Sequence, residues 1–81
     1  MTNTTLLKEL IEESGLKLKY VADYLGLSAY GFSKKVNNKQ EFKVSEVEAL
    51  CELLNIKDLE LKEKIFFAKE DDLKSTKGEY G

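Results

Sequence analysis

Leu18–Asn37 reads LKYVADYLGLSAYGFSKKVN, and the fold turns on the spacing within these twenty residues. Leu18, Val21, Ala22 and Leu25 stand at i, i+3, i+4 and i+7, the pattern of one buried helical face. Gly26 ends that face, because glycine adopts the left-handed backbone conformation that closes a helix. Three residues, Gly26-Leu27-Ser28, then precede a second segment in which Phe32 and Val36 resume helical spacing. Ser28 suits its start, since a serine oxygen satisfies an amide that the first turn leaves free. The stretch predicts helix, tight turn, helix.

Working outward, Leu6, Leu7, Leu10 and Ile11 form an earlier helical stripe opposite Lys8, Glu9, Glu12 and Glu13, and Ser14-Gly15 stops it. A helix over about Thr4 to Ser14 follows. Beyond the quoted stretch, residues 37–41 form a polar loop with turn-forming asparagines, and Phe42 and Val44 are expected to fasten it to the core. Ser45-Glu46-Val47-Glu48 fits a capping box, which predicts a fourth helix starting at Ser45. Val47, Leu50, Cys51 and Leu54 give that helix its apolar stripe, with Ala49 and Leu53 widening it. Asn55 is the expected stop, and Asp58 the expected cap of a short fifth helix carrying Leu59, Leu61, Ile65 and Phe66. Their spacing is irregular, so a short C-terminal strand over Ile65-Phe66-Phe67 stands as the alternative. From Lys69 to Gly81 there is one Leu and one Tyr among thirteen residues, too little to bury. The expected organisation is a domain over residues 1–68 and a flexible or loosely docked tail over 69–81.

Eighty-one residues allow one small core, which buries roughly 60% of the unfolded surface. Hydrophobic residues make up 42% and charged residues 35%, and the longest apolar run is Ile65 to Ala68, so neither a membrane span nor wholesale disorder is expected. The absence of histidine and the single cysteine remove most metal sites, an intrachain disulfide and histidine-based catalytic sets. Cys51 falls on the inner stripe of the fourth helix, where a free thiol serves as a small hydrophobe. Carboxylates are plentiful, but they lie on solvent faces and no motif converges a nucleophile, base and oxyanion donor. The chain is therefore expected not to be an enzyme and to use no cofactor or metal. Met1 to Leu6 lacks the basic and apolar succession of a secretory signal, so cytoplasmic residence is the default expectation.

The formal charge of −2 at first opposes a nucleic-acid partner, but its distribution reverses that inference. Residues 1–15 carry −2 and residues 44–81 carry −4. Residues 16–43 hold Lys17, Lys19, Lys34, Lys35, Lys39 and Lys43 against Asp23 and Glu41, which is +4. A basic helix-turn-helix on an acidic body is the electrostatic footprint of a protein that presents one face to phosphates.

The same window resembles the DNA-binding helix-turn-helix of the Cro/repressor type, the Xre-like family. That pattern wants an apolar fourth residue (Val21), a small fifth (Ala22), an apolar eighth (Leu25), glycine ninth (Gly26), and apolar tenth and fifteenth residues (Leu27, Phe32), and all six are present. It also wants an apolar eighteenth residue. Lys35 stands there instead and the apolar side chain follows at Val36, which leaves the register of the second half of the third helix open by one position. The resemblance implies an all-α, compact five-helix lambda-repressor-like domain over about residues 4–67, with the helix-turn-helix at its second and third helices. Phe32–Asn37 together with Phe66-Phe67 looks closest to small Cro-like proteins of phages and prophages in low-GC bacteria.

The resemblance implies that the third helix lies in the major groove, with Ser28, Ala29 and Tyr30 facing base edges and Ser33 and Lys34 one turn on. Lys34 can donate to guanine, Ala29 can touch a thymine methyl, and Ser33 can donate or accept. Tyr30 either reaches a base or phosphate or rests as an exposed aromatic on the turn of Phe32. One of Tyr20 and Tyr24 on the second helix is expected to flank the core, with a phosphate contact as the alternative to burial for Tyr20. Phosphate contacts are expected from Lys17 and Lys19 on one side and from Lys35, Asn37, Asn38, Lys39 and Lys43 on the other. A homodimer on a pseudo-palindromic double-stranded DNA operator is implied, joined through Leu61, Ile65, Phe66 and Phe67, with one of the two phenylalanines inside the core. The expected function is a Cro-like repressor of transcription, with no small-molecule ligand and no sensing or self-cleaving domain in a chain of this length. The rival expectation is a protein-interaction module on the same fold, such as an antitoxin component or an adaptor.

Overall fold

Asn3 opens the first helix: its side-chain oxygen accepts from the Leu6 N–H at 3.1 Å, answering one of the amides that a helix start leaves unpaired. In the computed structural model, which describes residues 1–68, this helix is α1 (Thr4–Ser14) and ends at Gly15 with φ 77°. The expected tail, 69–81, lies outside the described residues. Next come α2 (Leu18–Tyr24) and α3 (Ala29–Val36), joined by a turn in which Gly26 has φ 76° and Ser28 Oγ accepts from the Gly31 N–H at 3.0 Å. The sequence-predicted helix-turn-helix is therefore present with its glycine and its cap in their expected roles. Asn55, at φ 60°, closes α4 (Val44–Leu53), and Asp58 caps α5 (Leu59–Phe66) by accepting from the Glu60 N–H at 3.0 Å.

Two expectations are corrected here. Among the described residues there is no strand, and Ile65 and Phe66 belong to α5. A helix brings Ile65 and Phe66 to the core side with Leu61 at i−4 of Ile65, whereas a strand would have sent Ile65 and Phe66 to opposite faces. The start of α4 lies earlier than a cap at Ser45 would place it. Lys43 is its cap residue, and Glu46 reaches back to accept from the Lys43 N–H at 2.8 Å. An ammonium side chain offers no acceptor, so only the glutamate half of a capping box operates.

The core draws on all five helices: Leu7 and Ile11, Val21 and Ala22, Phe32 and Val36, Val47, Leu50 and Cys51, then Ile65 and Phe66. Phe42, from the loop after α3, packs edge-on between Phe32 and Phe66, with ring centroids 6.2 and 5.7 Å away. Phe42 thus ties the loop to the core as expected, whereas Val44, expected to do the same, is exposed at the first position of α4. The burial of Cys51 pushes its thiol pKa above the ordinary value. Against expectation, Leu18 is exposed; it sits in the first turn of α2 beside the cleft left by Leu16 and Ile11 rather than under another helix.

The first residues strap two ends of the bundle together. Asn3 N–H donates to Ile65 O at 2.6 Å and Ala68 N–H to Met1 O at 3.0 Å. On the other side, Thr4 Oγ1 donates to Val36 O at 2.6 Å, and the Asn38 amide exchanges bonds of 2.7 Å with both the N–H and C=O of Thr2.

Candidate nucleic-acid interface

The outward face of α3 is built by the same periodicity that buries its inner face. Phe32, Lys35 and Val36 point inward, which leaves Ser28, Ala29, Tyr30 and Ser33 exposed and Lys34 half-buried. Lys34 Nζ lies 5.4 Å from the centre of the Tyr30 ring, so the aromatic supports the ammonium from below. Tyr30 itself is 75% exposed and engages Lys34 rather than the turn of Phe32.

Clefts on either side of this face show what it adjoins. Ala29, Ser33 and Asn37 share one of about 480 Å³ with Leu18, at the start of α2, and with Lys8 and Glu12 of α1. Ser33 and Asn37 also border a second, with Tyr30, Lys34 and Lys39. Exposed Lys17 and Lys19 flank Leu18, while exposed Lys39 and Lys43 stand in the loop beyond α3. A row of small and polar side chains on one short helix thus has exposed lysines in the segments before and after it, and Lys39 borders the face itself.

Lys35 does not join them. It is 4% exposed, and its Nζ is 2.6 Å from Oε1 of Glu46, itself 8% exposed. Position 35 is i+3 from Phe32 and so falls on the inner face, which corrects the expected phosphate contact. The family pattern's apolar eighteenth position is inside, as that pattern wants, but is filled by a lysine neutralised across the α3–α4 junction. No shift of register occurs: α3 runs unbroken to Val36, with Lys35 and Val36 both buried. Burial pushes the Glu46 carboxyl upward, but hydrogen bonds from Lys35 and the Lys43 N–H, with the charges of both lysines, outweigh it and hold the pKa below 4.5. With Lys35 internally paired, residues 16–43 keep five lysines against two acids, a net +3.

The two asparagines are also partly committed. Asn37 Nδ2 donates to Ser33 O at 2.9 Å, and the Asn38 side chain is occupied with Thr2, its backbone held at φ 64°. Asn38 therefore serves the fold through its side chain, and its own N–H donates to Lys35 O at 3.2 Å, which corrects the expected phosphate contact. Tyr20 and Tyr24 are exposed rather than packed into the core, since the buried stripe of α2 runs through Val21 and Ala22. Tyr24 donates to Glu52 Oε1 at 3.2 Å, a bond that with the glutamate's charge raises the phenol pKa.

Of the four residues expected at a dimer contact, Ile65 and Phe66 are buried within the chain and Leu61 is half-buried, while Phe67 is 59% exposed. Burial inside α5's own packing removes Ile65 and Phe66 from any intermolecular surface. Val44, expected against the core, and Leu59, expected on the apolar side of the fifth helix, are instead 74% and 67% exposed and border a groove of about 450 Å³ with Phe67, Phe42 and Val47, rimmed by Glu48, Lys62 and Glu63. Each is the first residue of its helix, a position where an apolar side chain lies off the inner stripe, and that was the available signal.

Among the described residues no three metal-ligating side chains cluster, and no helix is long and apolar enough to cross a membrane. Residues 6–61 match the family model described as Cro/C1-type HTH DNA-binding domain, a span that takes in α2, α3 and α4 whole. No curated protein and no solved structure matches the chain significantly.

Proposed function

The chain belongs to the Cro/C1-type HTH DNA-binding domain family, and on that footing we propose that it is a sequence-specific repressor that occupies a pseudo-palindromic operator as a homodimer. The observation that supports this best is the exposed outward face of α3, which Lys39 borders and whose neighbouring segments carry exposed Lys17, Lys19 and Lys43. Eight residues make a helix about 12 Å long, close to the width of the major groove. Placed there, Lys34 donates to guanine O6 or N7, Ala29 meets a thymine methyl, and Ser28, Tyr30 and Ser33 hydrogen-bond neighbouring edges. The Tyr30 ring beneath Lys34 favours one position for its ammonium, which limits the freedom that makes lysine a less discriminating reader than arginine. The four lysines take phosphates, and the exposed Asn37 side chain lies beside them.

A second copy joins through the groove of Val44, Leu59 and Phe67, with Leu61 beside it. Glu48 and Glu63 on one rim can meet Lys62 of the other copy, as a two-fold contact requires. Repression then needs only occupancy of a promoter. Lys34→Ala is expected to weaken binding to the duplex that the wild-type chain selects by about 1–3 kcal/mol and to relax preference at one base pair. Fluorescence anisotropy with that duplex measures it. Retention of both affinity and preference would remove α3 as the reading element, and favour the interaction-module reading if protein capture persists.

A further inference from the structure

Resting on the DNA-binding reading above, we propose that the buried Lys35–Glu46 pair is a positioning device: Glu46 governs discrimination between DNA sequences without touching DNA. Three observations meet at this carboxylate. Its Oε1 receives Lys35 Nζ at 2.6 Å, and Lys35 directly follows Lys34 in the last turn of α3. The same oxygen receives the Lys43 N–H at 2.8 Å, at the far end of the loop that carries Asn37, Lys39 and Lys43. Glu46 itself sits in the first turn of α4, whose Val47, Leu50 and Cys51 are anchored in the core. One atom thus joins the recognition helix, the phosphate-contacting loop and the rigid body of the domain. The loop is bound back to α3 by Lys39 N–H donating to Lys34 O at 2.8 Å, so a shift at one end is transmitted to the other.

The physical reason for a charged pair at this place is direction. Apolar contacts are non-directional and tolerate small rotations and slides of a helix. An ion pair excluded from water holds one geometry, and such pairs contribute little net stability but can specify register. Base-edge hydrogen bonds fail when donors move a few tenths of an ångström out of range, whereas long lysines follow a phosphate over larger distances. Loosening the pair should therefore degrade base reading by Ser33 and Lys34 more than attraction to the backbone.

The test compares wild type, Glu46→Gln, and the double variant Lys35→Met with Glu46→Leu, each at a temperature where circular dichroism shows it folded. The double variant refills the space with apolar groups and keeps the net charge, so it carries the test even if Glu46→Gln is too unstable to assay. Each protein is titrated against the duplex that the wild-type chain selects from a randomised library and against a scrambled duplex of equal length and composition. The selected-to-scrambled affinity ratio should fall roughly tenfold or more in both variants, the effect of about one mismatched base pair, while affinity for the scrambled duplex stays nearly constant in the charge-neutral double variant. Amide exchange at Lys43 should quicken in the double variant without DNA present. A double variant that keeps the wild-type ratio, or variants that lose both duplexes equally, would overturn the positioning role. Failure of the wild-type chain to prefer any duplex would instead overturn the DNA-binding reading on which the proposal rests.

Discussion

Substitution of Lys39 should change the salt dependence of DNA binding, and removal of the Lys35–Glu46 pair should not. Four exposed lysines stand in the segments before and after α3: Lys17, Lys19, Lys39 and Lys43. If each neutralises one phosphate, the slope of log K against log salt is about −3.6 per protomer, and affinity falls roughly 150-fold between 50 and 200 mM salt. Lys39→Ala reduces the slope to about −2.7 and the loss over that range to roughly 40-fold. A fifth contact from Lys35 would have set the wild-type slope near −4.5. Its burial against Glu46 excludes it, and replacing both residues by Met and Leu removes no net charge. Titration by fluorescence anisotropy on a scrambled duplex reads the slopes without any contribution from base recognition. A dimer doubles the absolute slopes but leaves the fractional change, about one quarter, the same. An unaltered slope for Lys39→Ala, or an equal fall when the Lys35–Glu46 pair is replaced, would contradict the assignment of phosphate contacts.

Glu46 also confers a pH dependence on stability. Its folded pKa lies below the ordinary 4.5, so its contribution is complete above that value and is lost as pH falls through the lower folded one; urea midpoints of wild type and Glu46→Gln should converge over that acid range. At neutral pH, Glu46→Ala strands the buried Lys35 ammonium and should cost about 3–5 kcal/mol in urea denaturation. Gly26→Ala meets no atom within 4 Å but forces a side chain into φ 76°, a strain of roughly 1–2 kcal/mol by the same assay. Leu50→Ala empties a fully buried site and should cost about 2–5 kcal/mol, whereas Phe67→Ser should weaken self-association in sedimentation with little effect on unfolding of the monomer.

Helix ends were largely legible because their signals are local. Gly15, Gly26, Ser28, Asn55 and Asp58 each act within a few residues, and each stands where its chemistry implied. The start of α4 was not, because two overlapping registers compete: Lys43 with Glu46 and Ser45 with Glu48 both fit the spacing of a glutamate reaching back to a cap. The choice between them comes from Lys35, which draws Glu46 inward from eleven residues away. By the same token, a lysine in a basic run reads as surface, and only its i+3 relation to Phe32 and the apolar residue that the family pattern wants there hint that position 35 faces inward. The α3 face needed only periodicity and a resemblance to be identified. The groove of Val44, Leu59 and Phe67 needed three dimensions, since its members come from the starts of two helices and the residue that follows α5.

Selection of duplexes by the purified chain from a fully randomised library most directly probes whether it reads DNA sequence. Two inverted half-sites should be enriched, with centres about one helical turn, 10–10.5 base pairs, or a multiple of it apart. Alanine at Lys34 should blur one position in each half-site and leave the spacing intact. Recovery of a random pool, with no sequence enriched over the input, would contradict sequence-specific recognition by α3.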